Sequence, residues 1–447
     1  MTPQSWVGKW KLWVGLFVLL ALASACSLFQ PSKGIPAPTD TSIPDTSLEP
    51  PPALTSTHVP TPIPTITFTD TLTPSPTVEG PGTFRAVASL AGLLPGTTGN
   101  LQVRPLADGS VWITTSQEAL HWDSQTWEVV LREDEDFLAA VDENGRLWVL
   151  RSDWSKIAVW QGGQWTTYDD TKGWTKAIIF EPNWWAPSLW RAYDGVNDTV
   201  WLPMAFDVRR FDGNQWRVHT LEDMGFPPPD WEEIEVIHRL AMRDGGKEVW
   251  VGECYYSGPG PMGGQGVGWF DGTTWHGVEA PVGTGCVSAL EIDLTGNVWL
   301  GEIDIVWRYE PASQTWTPYD IPEAFMPGYN FAHTRQLIID ASGDVWVMML
   351  LCGGASCSGP EQLYRIHDSE WSLVLDSQNA STSLKQLALD GSGKGWVFWE
   401  GGIYRLEGES TERVASIEAR SVGVSPTGEV WVVAGNGEEV TLWMLEP

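Results

Sequence analysis

The segment DLTGNVWLGE, at residues 293–302, contains the pattern Asp-x-x-Gly-x-Val-Trp, and close variants of it recur along the chain. Eight copies are recognised by their tryptophan. These residues are Trp112, Trp148, Trp201, Trp250, Trp299, Trp346, Trp396 and Trp431. They lie 35 to 53 residues apart. Such a period, combined with strand-like patterning, is typical of a β-propeller.

The chemistry of each copy predicts two hairpins. Asp293 can hydrogen-bond its own backbone, Gly296 accepts a positive φ, and the residues that follow alternate between the faces of a strand. One large aromatic at the same place in every copy suits the gap of roughly 10 Å between packed sheets. A second pattern, with an aromatic or apolar residue leading in and Trp leading out, marks another hairpin. It occurs at residues 122–127, 160–165, 211–216, 270–275 and 366–371, in a longer form at 309–316 and without Trp at 406–411.

Each copy is therefore predicted to form a blade of four antiparallel strands, named a to d in chain order. Eight copies within residues 84–447 predict an all-β propeller of eight blades, and seven blades with one stray copy are the alternative. Residues 84–89 (FRAVAS) resemble residues 413–416 (RVAS), the predicted strand d of blade 7. We therefore expect the N-terminal strand to complete the last blade and to close the ring, which removes open sheet edges.

The two motifs together, D-x-x-G-x-[VL]-W-[VL]-G-x followed by F-D-G-x-x-W, resemble the two-component-regulator propeller repeat. The resemblance covers essentially all of residues 84–447. It implies a β-propeller of the kind found in extracellular sensor regions and in secreted or lipid-anchored bacterial proteins. It implies no particular ligand, because the repeated residues belong to the scaffold.

The N-terminus has the pattern of a targeting segment. Lys9 and Lys11 precede an apolar run at residues 12–23, which is too short to span a bilayer comfortably. The residues before Cys26 are small and resemble a bacterial lipobox, which implies a signal peptide over residues 1–26 and a lipid on Cys26. An ordinary cleaved signal peptide and a short anchor helix are the alternatives. Residues 27–83 are rich in Pro, Thr and Ser and predict a disordered tether.

The charge of the chain excludes some partners. The formal net charge is −31, which argues against nucleic acid and against anionic lipid head groups, since both are bound through Lys and Arg. We expect a monomer, anchored in the cell membrane on its extracytoplasmic side.

The long insertions into the repeat fall in the d–a and b–c connections, which lie on one face of a propeller. They cover residues 169–188, 220–235, 253–266, 320–334 and 350–361. Tryptophans and acids outside the scaffold positions concentrate there, in a pattern that suits either stacking on sugar rings or a protein interface. The alternative is that the loops bury their own tryptophans. The candidate ligand-binding residues are Trp154, Trp174, Trp184, Trp185, Trp231, Glu232, Glu253, Tyr255, Glu302, His333, Trp399 and Glu400.

Four cysteines fall on the same face. An even number in an exported protein predicts disulfides. We favour Cys254 with Cys286 and Cys352 with Cys357 among the three possible pairings. Free buried thiols are the alternative, and a zinc site is disfavoured because no pair of histidines accompanies them.

The sequence gives little support for catalysis. His121, His219, His276 and His367 fall in the repeat hairpins, where a structural role is expected. His238 and His333 end insertions near the channel mouth. With Glu253 or Glu302, either could form the site of a hydrolase or a metal-assisted lyase. No catalytic motif, metal site or cofactor is predicted. The expected function is therefore a ligand-binding or interaction module, for a glycan or an envelope protein, and the enzyme is the alternative.

Overall fold

Each copy of the repeat folds into its own antiparallel sheet, with the strands in chain order in blades 1 to 7. The computed structural model describes residues 84–94, 101–176, 191–195, 197–226, 234–257, 260–263, 266–279, 281, 286–353, 359–377, 385–408, 410–435 and 440–445. For residues 234–236, 238, 255–257 and 260–263 only the backbone is described. These residues all belong to one compact unit.

The first four blades follow one another along the chain. Their strands are Gln102–Pro105, Val111–Thr114, Glu118–Trp122 and Trp127–Arg132 in blade 1; Phe137–Val141, Leu147–Arg151, Ile157–Gln161 and Gln164–Tyr168 in blade 2; Tyr193–Asp194, Val200–Pro203, Asp207–Phe211 and Trp216–Thr220 in blade 3; and Ile234–Arg243, Glu248–Ser257, Gly266–Phe270 and Trp275–Glu279 in blade 4. A short extra strand, Gly260–Gly263, pairs with strand b of blade 4. Short 3₁₀ helices cover Asp170–Lys172 and Glu323–Phe325.

The remaining blades complete the ring. Their strands are Ala289–Ile292, Val298–Gly301, Ile305–Glu310 and Thr315–Asp320 in blade 5; Phe331–Ile339, Val345–Cys352, Glu361–His367 and Glu370–Asp376 in blade 6; Gln386–Leu389, Gly395–Trp399, Gly402–Glu407 and Ser410–Ser416 in blade 7; and Ala419–Val424, Val430–Ala434, Thr441–Leu445 and Phe84–Ser89 in blade 8. Strands a of several adjacent blades contact each other, so the a strands line the central channel.

The N-terminal strand closes the ring as the sequence predicted. Phe84 pairs with Leu445 and Ser89 pairs with Thr441, which makes the N-terminal strand the outermost strand of blade 8. Because residues 84–89 pair with residues 441–445, the edge of strand c in the last blade is covered. The eight-bladed prediction is confirmed, and the seven-bladed alternative is wrong because the eighth copy forms a full sheet with the N-terminal strand.

The eight motif tryptophans hold neighbouring blades together. Each lies in strand b and belongs to an apolar cluster shared with the next blade, including the cluster that joins blade 8 to blade 1. All eight are at most 8% exposed. Trp112 meets Trp160 of blade 2 edge to face, with ring centroids 5.2 Å apart. Such burial of large aromatics is the main source of stability between the blades.

The motif Asp accepts a hydrogen bond from the motif Trp, which explains why the two stand six residues apart in the sequence. Asp340 accepts hydrogen bonds from the backbone N–H groups of Ser342 and Asp344, at 2.9 and 3.0 Å, and from the indole Nε1 of Trp346, at 2.8 Å. Gly343 closes the turn with a φ of 89°. The same indole bond joins Asp142 to Trp148, Asp293 to Trp299 and Asp390 to Trp396, at 2.8, 3.0 and 3.5 Å. One carboxylate thus fixes both the turn and the tryptophan that packs between the blades.

The predicted c–d hairpins are confirmed in register. Trp122 pairs with Trp127, Phe270 with Trp275, and Ile366 with Trp371. The stretched copy in blade 5 keeps the rule, since Tyr309 pairs with Trp316. In the described part of the chain, no helix is long and apolar enough to cross a membrane.

Candidate functional site

The two faces of the propeller differ in the length of their connections. We call the face of the d–a and b–c connections the long-loop face, and the face of the a–b and c–d turns the turn face. Strands a and b of blade 4 have ten residues each, and those of blade 6 have nine and eight. In the other blades, strands a and b have at most six residues. The additional residues lie where strand a begins and strand b ends, which is the long-loop face.

A disulfide fastens the long-loop face. Cys254, in strand b of blade 4, is bonded to Cys286, just before strand a of blade 5, with their Cα atoms 4.4 Å apart. The predicted pairing of these two cysteines is confirmed. Cys352 is also disulfide-bonded. Its predicted partner, Cys357, lies outside the described residues, and their pairing stays a prediction.

Four of the candidate ligand-binding residues are buried. Trp174, Glu253, Glu302 and Trp399 are at most 3% exposed. Trp174 packs edge to face against Trp216, with centroids 5.0 Å apart, and lies 4.1 Å from the guanidinium of Arg209.

Glu302 and Trp399 also contact other side chains in the interior. The Oε2 atom of Glu302 accepts the indole N–H of Trp307 at 3.3 Å. The ring of Trp399 lies 5.2 Å from the Nζ atom of Lys385, which pairs with Glu361 at 2.9 Å. These side chains support the long-loop face from within.

Three other candidates reach the surface of this face. Glu400 is exposed, and Trp154 and His333 are partly buried. Trp154 and Glu400 occupy the b–c turns of blades 2 and 7 with φ values of 54° and 47°. The side chain of Tyr255 lies outside the described residues, as do Trp184, Trp185, Trp231 and Glu232.

The charged neighbours of His333 are two arginines. Burial lowers its pKa, and Arg335 and Arg239 lower it further. No carboxylate contributes to this shift among the described groups. Its backbone bridges to Ile303 of blade 5. No group of three His, Cys, Asp or Glu side chains is placed to hold a metal ion in the described ranges. The side chain of His238, the other candidate, is not described.

The register of strands a and b places one level of residues around the channel. Opposite the motif Trp, strand a carries Arg104 in blade 1, Tyr193 in blade 3 and Glu291 in blade 5. Blades 2, 4, 7 and 8 carry Ala140, Ala241, Ala388 and Gly423 at this level, and blade 6 carries Ile338. Large polar side chains therefore alternate with small residues in the first five blades.

These polar groups converge although their blades are not adjacent. The phenol of Tyr193 interacts electrostatically with Arg191, Glu291, Arg239 and Arg104, and burial, the largest influence, raises its pKa. Blade 3 adjoins neither blade 1 nor blade 5. Groups from these three blades can approach one another only across the channel, so they form one cluster there. We call Arg104, Arg191, Tyr193, Arg239 and Glu291 the channel cluster.

None of the channel-cluster residues was among the candidates predicted from the sequence. A signal was present, because Arg104, Tyr193 and Glu291 each stand eight residues before a motif Trp. The distance is the same in every blade except blade 4, where Ala241 stands nine residues before Trp250. Aligning the copies on Trp and reading that column would have shown it. The convergence itself depends on the closed ring.

A cavity of about 300 Å³ lies elsewhere, between blades 8 and 1. Its lining includes Gly109 and Glu429 from a–b turns and Met444 and Trp122 from outer strands, which places it at the turn face. It shares no residue with the channel cluster or with the predicted site.

No protein-family model matches this chain, and no curated protein shows a significant match. Similar solved structures include virginiamycin B lyase from Staphylococcus aureus, at a TM-score of 0.42 and 13% identity, covering 81% of this chain and 99% of that one. The extracellular domain of a putative hybrid two-component system from B. thetaiotaomicron matches at 0.42 and 12%, covering 78% and 51%. PorZ, a surface component of the type-IX secretion system of Porphyromonas gingivalis, matches at 0.36 and 15%, covering 78% and 55%. This chain thus spans about half the length of the last two. The likeness concerns the fold and assigns no ligand.

Proposed function

We propose that this protein is a membrane-tethered, extracytoplasmic module that binds a glycan or an envelope protein through its long-loop face. The observation that supports the proposal is the difference between the two faces. The turn face repeats short Asp-Gly turns, whereas the long-loop face carries the extended strands of blades 4 and 6 and the Cys254–Cys286 bond. Ring closure does not require these extended strands or this disulfide. Binding residues commonly lie on loops that a rigid scaffold holds in place.

The buried tryptophans define how that face is built. Trp174 and Trp399 anchor the connections from below, so the surface available to a partner consists of the residues around them. Trp154 and Glu400 are such residues. Aromatic rings suit the apolar face of a sugar and carboxylates suit its hydroxyl groups, and aromatic residues are also enriched at protein interfaces.

The expected tether and the disulfide both favour an extracytoplasmic location. Disulfides persist in oxidising surroundings such as the periplasm or the cell exterior. A lipid on Cys26 followed by a Pro-rich segment at residues 27–83 would hold the propeller away from the membrane, since polyproline II extends by about 3.1 Å per residue.

The enzyme alternative gains no support from the described residues. A hydrolase or lyase at the channel mouth would need a carboxylate within hydrogen-bond reach of a histidine. His333 instead has Arg335 and Arg239 as its charged neighbours. Glu253 and Glu302 are buried.

The test is a glycan array probed with the purified full-length protein in neutral detergent. We expect saccharide binding that is lost in a Trp184→Ala/Trp185→Ala double variant and kept in Leu294→Ala. Leu294 is 81% exposed in a turn of the opposite face, which makes it a matched control for removing surface apolar groups. Binding lost equally in both variants, or kept in both, would refute a site at these tryptophans. If no glycan binds, crosslinking in intact cells tests the envelope-protein arm, and the same double variant should lose the crosslinked partner.

A further inference from the structure

The cavity of about 300 Å³ at the turn face lies where the ring closes, between blade 8 and blade 1. Its apolar wall consists of Val87, Trp431 and Met444 of blade 8 and Trp122 of blade 1. All four belong to the apolar cluster that joins these two blades or pack against it. Trp122 is held in place by Trp127 of the same hairpin, with ring centroids 5.3 Å apart. The volume lies at the lower end of the range of about 300–1,000 Å³ that is usual for small-molecule pockets.

One carboxylate in the wall of this cavity has no cationic partner. The Oε2 atom of Glu429 accepts hydrogen bonds from the hydroxyl groups of Ser425 and Thr427. Burial acts to raise the pKa of Glu429, but these hydrogen bonds outweigh it and lower the pKa. Arg85 also borders the cavity, yet no charged group contributes to this pKa among the described residues. Glu429 is therefore ionised near neutral pH, and its Oε1 atom has no hydrogen-bond partner in the described part of the chain.

An indole N–H in the same wall also lacks a partner. Where the motif Asp is present, as at Asp340, it accepts the indole N–H of the motif Trp. Blade 8 has Ser425 at this position, and the hydroxyl of Ser425 donates to Glu429 instead. The Nε1 atom of Trp431 has no hydrogen-bond partner among the described residues, and it is not one of the buried unpartnered donors. The cavity therefore offers an accessible N–H donor and a carboxylate acceptor that stand two residues apart.

A smaller cavity between blades 2 and 3 shows how the same place looks when its polar groups are paired. Its volume is about 150 Å³, and its lining comes from corresponding positions of two successive blades. Arg146 stands two residues before Trp148, at the position that Glu429 has in blade 8. Arg146 pairs with Asp142 and Asp194, and the indole of Trp148 donates to Asp142 at 2.8 Å. These groups need no ligand, whereas their counterparts between blades 8 and 1 can bind one.

We infer that the cavity between blades 8 and 1 binds a neutral sugar ring. A hydroxyl group both accepts and donates, so neighbouring hydroxyls can accept the N–H of Trp431 and donate to Glu429. The apolar face of the ring suits the side chains of Trp122 and Met444. An organic cation would leave the indole N–H without an acceptor, and an anionic sugar would be repelled by Glu429. This site goes beyond the proposed function, because it lies on the opposite face and shares no residue with the long-loop face.

The experiment is saturation-transfer NMR of the full-length protein in a polyoxyethylene detergent, which contains no sugar. The neutral probes are glucose, galactose, mannose and N-acetylglucosamine. Glucuronate and choline serve as the anionic and cationic comparisons. We expect at least one neutral sugar to bind, and glucuronate and choline to bind at least tenfold more weakly than that sugar.

The first variant is Glu429→Gln, which keeps the size of the side chain and replaces one carboxylate oxygen by a donor. It should weaken sugar binding at least tenfold. Glu370→Gln is the matched control, since Glu370 is an exposed residue in the outermost strand of blade 6. It should bind the sugar as the wild type does.

The second variant is Trp431→Phe, which removes the indole N–H and should also weaken sugar binding. Its control is Trp112→Phe, because Trp112 has an unpartnered indole N–H too but does not line the cavity. Circular dichroism and thermal unfolding check the fold of every variant.

The inference is overturned if no neutral sugar binds, if choline or glucuronate binds as tightly as the sugar, or if Glu429→Gln binds the sugar as tightly as the wild type. The Trp184→Ala/Trp185→Ala variant should keep this binding. Because that variant leaves the cavity intact and Glu429→Gln leaves the long-loop face intact, the failure of one site is distinguished from the failure of the other.

Discussion

At the scale of single residues, the motif pairs a carboxylate with an indole six residues later. Where the Asp is present, as at Asp340, the buried indole N–H of the Trp has an acceptor. In blades 1 and 3 the corresponding positions hold Leu106 and Gly195. The Nε1 atoms of Trp112 and Trp201 then have no hydrogen-bond partner among the described residues. An unpartnered buried donor costs stability, so these two blades keep the tryptophan for its packing alone.

This difference predicts unequal effects of the same substitution. Trp346→Phe removes a hydrogen bond and leaves an oxygen of Asp340 without its indole partner, whereas Trp112→Phe removes only a donor that lacks an acceptor. Both residues are fully buried in strand b, so the loss of ring volume is matched. We expect Trp346→Phe to reduce the free energy of unfolding by about 1–2 kcal/mol more than Trp112→Phe. Urea unfolding followed by tryptophan fluorescence measures both, and equal losses would contradict the role of the carboxylate.

At the scale of strands and connections, two features join parts of the chain that are distant in sequence or belong to different blades. The N-terminal strand joins residues 84–89 to residues 441–445. The Cys254–Cys286 bond joins the end of strand b in blade 4 to the start of blade 5. Both act between elements that local sequence preferences alone would not hold together.

The N-terminal strand can be tested by truncation. A chain starting at residue 84 retains all of blade 8, and we expect it to unfold at the temperature of the full-length protein. A chain starting at residue 91 loses the strand and exposes the edge of Thr441–Leu445. Loss of the buried Phe84 alone should cost about 3–5 kcal/mol. Scanning calorimetry compares the two, and an unchanged transition in the shorter chain would mean that the strand is dispensable for closure.

The disulfide can be tested by a double substitution, Cys254→Ala with Cys286→Ala. The two cysteines are separated by 32 residues. Closing a loop of that size in the unfolded chain should stabilise the fold by about 3–4 kcal/mol in the chain-entropy model. We expect the double variant to unfold at a lower temperature than the oxidised wild type, and reductant to lower the wild type at least as far, because it also reduces the disulfide of Cys352. A double variant as stable as the oxidised wild type would show that the bond does not hold the blades.

At the scale of the whole molecule, carboxyl groups respond to burial in two opposite ways. In the turns, burial acts to raise the pKa of Asp293, but hydrogen bonds from Thr295, Trp299 and Asn297 outweigh it and lower the pKa. At Glu291 and Asp194, burial prevails. It raises the pKa of Glu291 to about 7 and, together with the charge of Asp142, raises that of Asp194 to about 6. The balance between burial and hydrogen bonds therefore decides the charge of each acid.

The raised pKa of Glu291 makes the free energy of unfolding depend on pH in a range higher than the one in which a carboxyl group normally titrates. A raised folded pKa means that Glu291 contributes fully below its unfolded pKa of about 4.3, and that this contribution is lost as pH rises through about 7. Its charged neighbour is Arg191, and the phenol of Tyr193 is a neutral titratable neighbour. We expect Glu291→Gln to be more stable than the wild type at pH 8, by up to about 3 kcal/mol, and nearly equal to it at pH 4.5. Chemical unfolding at both pH values measures this, and a pH-independent difference would argue against a titrating Glu291.

The local and repeated features of this protein could be read from its sequence. The positions of the eight tryptophans, the Asp-Gly turns and the paired residues of the c–d hairpins follow from patterns only a few residues long, and the structure confirms them. Even ring closure was predicted, because residues 84–89 carry the signature of a strand d. Adjacent parts of the chain determine such features through turn chemistry and strand alternation.

Tertiary structure decided which side chains the ring buries and which it brings together. Trp174 and Trp399 were candidates for the ligand surface, yet the ring packs them inside, because burial depends on what the neighbouring strands and loops cover. Tyr193 lies 89 residues after Arg104 and 98 residues before Glu291, and only closure of the ring places the three around one channel. Local sequence patterns thus predict the blades. The electrostatics of the centre arise only when the blades join in a circle, because groups from non-adjacent blades then meet in a partly desolvated space.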